Sequence, residues 1–415
     1  MKTTVSVGNE EFRSGLNFFR GNIGVIAVGS AIRGFGGGII STYVSLYFIG
    51  LGGSPLTLGL TASIASVIQC VILLLGGFIA DYYGRRKIMV LTAFYGIFFP
   101  LLYAVVQDWR IFAVLSIIGA LGVMSNPASH AVVADSISPQ KRTTGIASLQ
   151  VVSSLPVIIA PLIGGWLIQN HGLLDGFRLA CVCTAATAFT SALFIFLFLK
   201  ETHRHKLAAK LNSSNFNTLI GFMRPPRPLP TGLKPLMISY ALVMFANGAV
   251  GQYYILYANN VIGLTNLEWG AIVSLQLLLV IILKIPGGWL SDKFGKRKIM
   301  ILSAATCAPC AVLFTLAHSF VQVLIVALLL IVTGIYYAPA HEALQADLTP
   351  RTMRGRITAL WGICSAISTA LGILAGGFLF QMVSPAVPFY LFTAAELVAV
   401  FFIINMVREP MDKEA

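Results

Sequence analysis

Of the 415 residues, 57% are hydrophobic and only 10% are charged, whereas a soluble domain carries roughly 25% charged residues. With a mean hydropathy of +0.84 this excludes a water-soluble globular domain and places the chain in a lipid bilayer, where each spanning helix needs about 20 mostly apolar residues. A net charge of +13 could serve a nucleic-acid partner. However, the Lys and Arg form no basic stripe with interleaved aromatics; they gather in the termini and alternate loops, so no nucleic acid is expected.

The chain begins with a polar, mixed-charge segment through Arg20 and shows no cleavable signal with a compact apolar core. Apolar runs then predict spans near 23–50, 56–80, 87–107, 111–135, 144–169 and 178–199. A second set is predicted near 235–259, 268–291, 298–317, 320–346, 357–381 and 387–407. Basic residues concentrated in the termini and alternate loops put both termini in the cytoplasm of a multi-pass cell-membrane protein. Between the two sets, Lys200 to Lys234 is basic, proline-rich near its end and too polar to span. The expected organisation is therefore an N-terminal six-helix bundle (1–203), a cytoplasmic linker (204–232) and a C-terminal six-helix bundle (233–415). The six cysteines all fall within apolar runs. The Cys307-x-x-Cys310 pair lacks the soluble strand-to-helix setting of a redox motif and reads as packing.

The halves repeat each other. Gly76 to Ala93, GGFIADYYGRRKIMVLTA, returns as Gly287 to Ala304, GGWLSDKFGKRKIMILSA. Pro127 to Asp135 (PASHAVVAD) returns as Pro339 to Asp347 (PAHEALQAD), and Ala160 to Gly165 (APLIGG) as Gly372 to Gly377 (GILAGG). Six spans repeated in parallel form a transporter plan, with substrate bound between the halves near the midplane.

These residues resemble the major facilitator superfamily over the whole chain. Its loop signature, G-x-x-x-D-x-x-G-R-[KR], is carried by Gly77, Asp81, Gly84, Arg85 and Arg86. Its weaker second copy is carried by Gly288, Asp292, Gly295, Lys296 and Arg297. Tyr82 replaces the usual basic residue in the first copy, and Lys296 the usual Arg in the second. The fifth span keeps Pro161, Gly164 and Gly165 of the family's antiporter signature but has Pro156 and Ala160 where two glycines are usual. The resemblance implies an all-α integral membrane fold of twelve transmembrane helices in two pseudo-symmetric bundles. It also implies gating contacts, Arg85 with Asp135 and Lys296 or Arg297 with Asp347, that favour the state closed to the cytoplasm; the competing reading is that these charges only fix topology.

Ionisable residues inside spans cost roughly 2.5–3.5 kcal/mol each at the bilayer centre and usually face a bundle interior or a wet cavity. Arg33 has no charged counterpart in the seventh span, and either contacts substrate or snorkels to the interface. His130 aligns with Glu342 beside His341; this layer either carries a coupling proton or packs. Lys284 either pairs with Glu342 or binds substrate, and Glu396 is either a buried hydrogen-bonding residue or a second proton site. Asn247, Gln252, Tyr254, Tyr257, Tyr336 and Tyr337 complete the expected cavity, with Tyr43 and Tyr253 as possible interfacial anchors.

The leading expectation is a secondary transporter working by alternating access, coupled to protons, whose cationic cavity takes a small organic anion. The alternatives are a multidrug or metabolite efflux antiporter and a non-transporting sensor or scaffold of the same fold. No HExxH, GxSxG or GxxxxGK[ST] motif occurs, so no enzyme activity, metal or cofactor is expected. The expected partners are lipid, a small-molecule substrate and protons, with the protein acting as a monomer.

Overall fold

In a computed structural model, described for residues 21–137, 142–201, 232–350 and 353–407, the chain is all helix among the described residues. Twelve helices are long and apolar enough to cross a membrane. The first six are α1 Asn22–Ser41, α2 Pro55–Ala80, α3 Arg85–Val105, α4 Trp109–Ser136, α5 Ser148–His171 and α6 Leu173–Phe198. The second six are α7 Leu233–Ile262, α8 Asn266–Leu283, α9 Lys296–Thr315, α10 Phe320–Leu348, α11 Gly355–Met382 and α12 Val387–Met406. They form the two pseudo-symmetric bundles of six. The stretch expected to link the bundles, the chain termini, and the side chains of Asp81, Lys284 and Asp292 lie outside the described residues, and with them those parts of the gating and substrate readings.

Local chemistry explains where the spans begin and bend. Ser54 opens α2 with a capping box: its hydroxyl accepts from the Thr57 N–H, and Thr57 Oγ1 accepts from the Ser54 N–H, with Pro55 at the first helical position. The turns between α2 and α3 and between α8 and α9 pivot on Gly84 (φ 97°) and Gly295 (φ 93°). Only glycine takes such angles without strain, which explains the second glycine of the repeated motif. Several interior helices are broken, and the breaks fall at matched places in the two halves. The direction of α1 changes at Thr42 and Tyr43 and that of α7 at Gln252 and Tyr253, while α4 and α10 loosen at Ala120–Met124 and at Ile335 and Tyr336.

The motif's basic residues act within each bundle. Arg85 pairs with Asp135 at the end of α4, and Lys296 with Asp347 at the end of α10. The Arg86 guanidinium donates to the Phe196 carbonyl of α6 (2.9 Å), and Arg297 donates to the Ile403 (3.2 Å) and Ile404 carbonyls of α12. In each half the loop therefore ties the end of the fourth helix and the C-terminal carbonyls of the sixth, where a cation complements the helix dipole. Asp135 and Asp347 are partly exposed, so each ion pair contributes at most about 1 kcal/mol. Asp135→Asn and Asp347→Asn should each lower thermal stability in detergent only slightly. A collapse of folding in either variant would contradict this placement.

Candidate functional site

The end carrying the first and last helix termini is here the termini face, and the opposite end the far face. In the far half the bundles are sewn together. Tyr43, fully buried after the break in α1, donates to the Pro161 carbonyl of α5 (2.7 Å) and to the Asn266 carbonyl of α8 (3.0 Å). Its counterpart Tyr253, fully buried at the break in α7, donates to the Ile373 carbonyl of α11 (2.9 Å). A Cβ on Gly59 of α2 would lie 2.7 Å from the Tyr253 hydroxyl, so α2 packs directly against this tyrosine. Ser45 Oγ donates to Gln252 Oε1 (2.9 Å) and Ser63 Oγ to the Ala370 carbonyl (2.5 Å), both across the interface.

Small residues permit this approach. A Cβ on Gly165 would overlap the Asn266 carbonyl and stand 2.6 Å from the Tyr43 hydroxyl. One on Gly377 would stand 2.6 Å from both the Pro55 carbonyl and the Tyr253 hydroxyl. In a bilayer, where apolar surface alone does not hold helices together, such close packing and interhelical hydrogen bonds do so. Tyr43 and Tyr253 are therefore not interfacial anchors; each is a bolt through a three-helix contact. The signal that marks them is a repeat of its own: Tyr43, Leu46 and Tyr47 match Tyr253, Leu256 and Tyr257. The second tyrosine of each set bonds inside its bundle, Tyr47 to the Tyr103 carbonyl (3.0 Å) and Tyr257 to the Thr315 carbonyl (3.1 Å). Tyr257, expected to touch substrate, is 5% exposed with its hydroxyl committed to the core, and is structural.

On the termini side of this seal a cavity of about 990 Å³ opens between α2 and the helices α7, α10 and α11. Its wall from the second bundle is aromatic. The His341 ring stacks on Tyr240 (centroids 4.2 Å apart, planes at 10°), and the Trp361 indole N–H donates to His341 Nε2 (3.1 Å). Because an indole N–H can only donate, Nε2 carries no proton there, and the imidazole is held as an acceptor. His341 is thus 2% exposed and serves as a wall element, rather than as a free titrating group. Its neighbour Glu342, about 100° further round the helix, is exposed and lines the cavity beside Tyr337 and Gln345. Among the described residues, no Lys or Arg is in the lining; the side chains of Lys284 and Arg354 lie outside them. A smaller cavity of about 300 Å³ lies in the far half, lined by Ser41, Ser45, Gln252, Tyr254, Trp269 and Gln276 among others.

The remaining expected residues divide. Arg33 is accessible and shares a stripe of α1 with Gly37 and Ser41, the last of which lines the smaller cavity; Arg33 itself lines neither cavity. His130 is exposed on α4 but lines neither cavity. The Asn247 amide nitrogen donates to the Val243 carbonyl of its own helix (2.8 Å), so one of its two N–H donors is spent locally. Glu396 is 3% exposed inside the second bundle, away from the central space. Sequence reasoning missed Tyr240 and Trp361, which carry no charge and look like any aromatic in a span. Among the described residues no cluster of three or more His, Cys, Asp or Glu could hold a metal.

Two six-helix bundles, sealed together at one end and parted around a cavity at the other, define a membrane transporter rather than an enzyme. The chain belongs to the Major Facilitator Superfamily, whose model matches residues 26–275 and 236–415. It is similar to the multidrug resistance protein MdtG of Yersinia enterocolitica serotype O:8 / biotype 1B (strain NCTC 13174 / 8081), 25% identical over 310 residues covering 72% of this chain and 71% of the relative. Multidrug resistance protein 2 of Bacillus subtilis (strain 168) is 23% identical over 338 residues, 80% of this chain and 81% of that one. Among solved structures, the human organic anion transporter MFSD10 (TETRAN) superposes with a TM-score of 0.67 at 19% identity, over 93% of this chain and 99% of that one. A POT family transporter in complex with 5-aminolevulinic acid gives 0.75 at 14% identity, over 92% and 95%. At these identities the structural likenesses establish the fold alone.

Proposed function

We propose that the protein is a proton-driven exporter of flat, amphipathic solutes that are cationic or neutral. The observation that carries this reading is the composition of the large cavity. It presents aromatic faces, which attract cations and flat apolar groups, together with the Glu342 carboxyl and, among the described residues, no basic side chain. The naming of relatives as multidrug resistance proteins points the same way. In this reading the protein works as a monomer in the cell membrane with both termini cytoplasmic, the bundles span 1–203 and 233–415 around a linker at 204–232, and the large cavity is the cytoplasmic vestibule. The Tyr43 and Tyr253 bolts then form the extracellular gate.

Arg33, a cation within α1 on the stripe that leads to Ser41, supports a second reading in which an organic anion is carried. The two separate by flux into proteoliposomes from a panel of aromatic cations, neutral solutes and anions of matched size, with and without a pH gradient. Export requires gradient-dependent movement of cations or neutrals. Gradient-driven flux confined to anions and abolished by Arg33→Glu would replace it with the anion reading, and flux indifferent to the gradient would remove proton drive.

A further inference from the structure

Glu396 lies midway along α12, within the second bundle rather than on its cavity surface, and among the described residues no ion pair reaches it. Two phenols stand within its electrostatic reach, Tyr254 of α7 and Tyr337 of α10. Both hydroxyls are buried without a hydrogen-bond partner, which in a native interior calls for a specific explanation. Their rings have a second property in common: the Tyr254 ring lines the far cavity, and the Tyr337 ring lines the large cavity. Each tyrosine therefore lines a different cavity while its hydroxyl is buried without a partner.

The other titratable groups around this point are Cys307 and Cys310 of α9 and Tyr240 of α7, with His341 on the cavity side. His341 Nε2 is already engaged by Trp361. Arg297 of α9 is committed to α12 carbonyls about two turns further along, so α12 meets its nearest basic residue of the loop motif at its end and not at Glu396. A carboxyl so placed changes the bonding of both phenols when it gains or loses a proton. As a carboxylate it accepts from both hydroxyls and draws α7 and α10 toward α12. As a carboxylic acid it keeps a carbonyl acceptor for one phenol and gains a donor, so the other phenol must turn from donating to accepting.

We propose that Glu396 is a proton-binding site buried inside the second bundle, with Tyr337 and Tyr254 as the exchange points toward the large and the far cavity respectively. A hydronium ion in either cavity gives its proton to the phenol oxygen as the phenol passes its own proton to the carboxylate, leaving water in the cavity, a restored phenol and a neutral carboxylic acid at Glu396; release is the reverse, into the other cavity. The proposal rests on the proton-driven reading above and adds to it that the driving proton travels beside the substrate rather than through its cavity.

The test is infrared difference spectroscopy of the purified full-length protein between acid and alkaline pH, which needs no substrate. The expected result is a carboxylic C=O band that Glu396→Gln removes and that Tyr254→Phe and Tyr337→Phe each shift in frequency, because each removes one hydrogen-bond partner while preserving the ring. The same variants in proteoliposomes should then lose gradient-driven flux while retaining downhill substrate exchange. A difference spectrum identical in Glu396→Gln and wild type overturns the proposal, as do phenylalanine variants that leave the band unmoved. If the Glu396 band is present but flux ignores the gradient in wild type as well, the transport reading falls and the proton site stands; gradient-driven flux intact in a folded Glu396→Gln leaves the transport reading standing and sinks this one.

Discussion

Alanine at both Gly165 and Gly377 should hold the far end open. Each new Cβ would meet a backbone carbonyl of the opposite bundle, Asn266 in one case and Pro55 in the other, and each would crowd a bolt hydroxyl at 2.6 Å. Neither collision can be relieved by turning a flexible side chain. Overpacking of this kind costs about 1–3 kcal/mol per site. Because the contacts lie between bundles, rigid-body parting relieves the strain without unfolding either one. Two sites together then shift the balance between sealed and open forms by about 2–6 kcal/mol, enough to move the population by roughly one to four powers of ten. The measurement is a distance distribution between labels in the far-face loops at 51–54 and 383–386, which should lengthen in the double variant. Gly176→Ala supplies the contrast, since its Cβ would overlap the Leu167 carbonyl and Ile168 backbone of α5 within the same bundle, away from either bolt. That variant should lower thermal stability without lengthening the far-face distance. A double variant that keeps the wild-type distance would show that the seal is not set by these two contacts.

This contrast also indicates what could be read from residue order. The doubling of APLIGG as GILAGG located both glycine pairs, and the doubling of the charged loop located Arg85 with Asp135 and Lys296 with Asp347. Charges in apolar runs announced Arg33, Glu342 and Glu396, because each costs enough in lipid to need a reason. The aromatics were illegible individually. In a soluble helix the apolar stripe marks the buried face, but a spanning helix is apolar on its lipid face too, so Tyr43 in the bolt, Tyr240 in the cavity wall and an aromatic facing lipid look alike. Adjacent residues posed the same difficulty: His341 and Glu342 were expected to share a layer, yet helical geometry turns one into a stack with Tyr240 and Trp361 and the other into the cavity. Partners remote in sequence, such as Ser45 with Gln252 or Tyr253 with Ile373, follow from how the bundles dock, and no local pattern records them.

Glu342→Gln should separate substrates by charge. The carboxyl lines a cavity whose other described contacts are aromatic, amide, hydroxyl, thiol and aliphatic groups, so among the described residues it is the acidic group there to offer a cation. Its removal leaves the aromatic faces, each worth about 0.5–2 kcal/mol to a cation depending on desolvation, but takes away the ionic contact. A loss of at least about 1.4 kcal/mol, or tenfold in affinity, is expected for cationic solutes, with neutral aromatic solutes of the same shape nearly unaffected. Energetics supply a second reading of the same experiment. Exchange of one cation outward for one proton inward moves no net charge, so the membrane potential does no work on it and only the pH difference drives it, at about 1.4 kcal/mol per unit. A neutral solute exchanged for one proton gains the potential as well, about 2.3 kcal/mol per 100 mV. Wild-type cation export should therefore respond to an imposed pH gradient and ignore an imposed potential, while export of the neutral analogue responds to both. In Glu342→Gln the neutral analogue should keep both responses, since the proton site proposed at Glu396 is untouched. If the variant instead loses gradient response for every solute, Glu342 itself holds the driving proton, and the division between a substrate carboxyl in the cavity and a proton carboxyl inside the bundle must be abandoned.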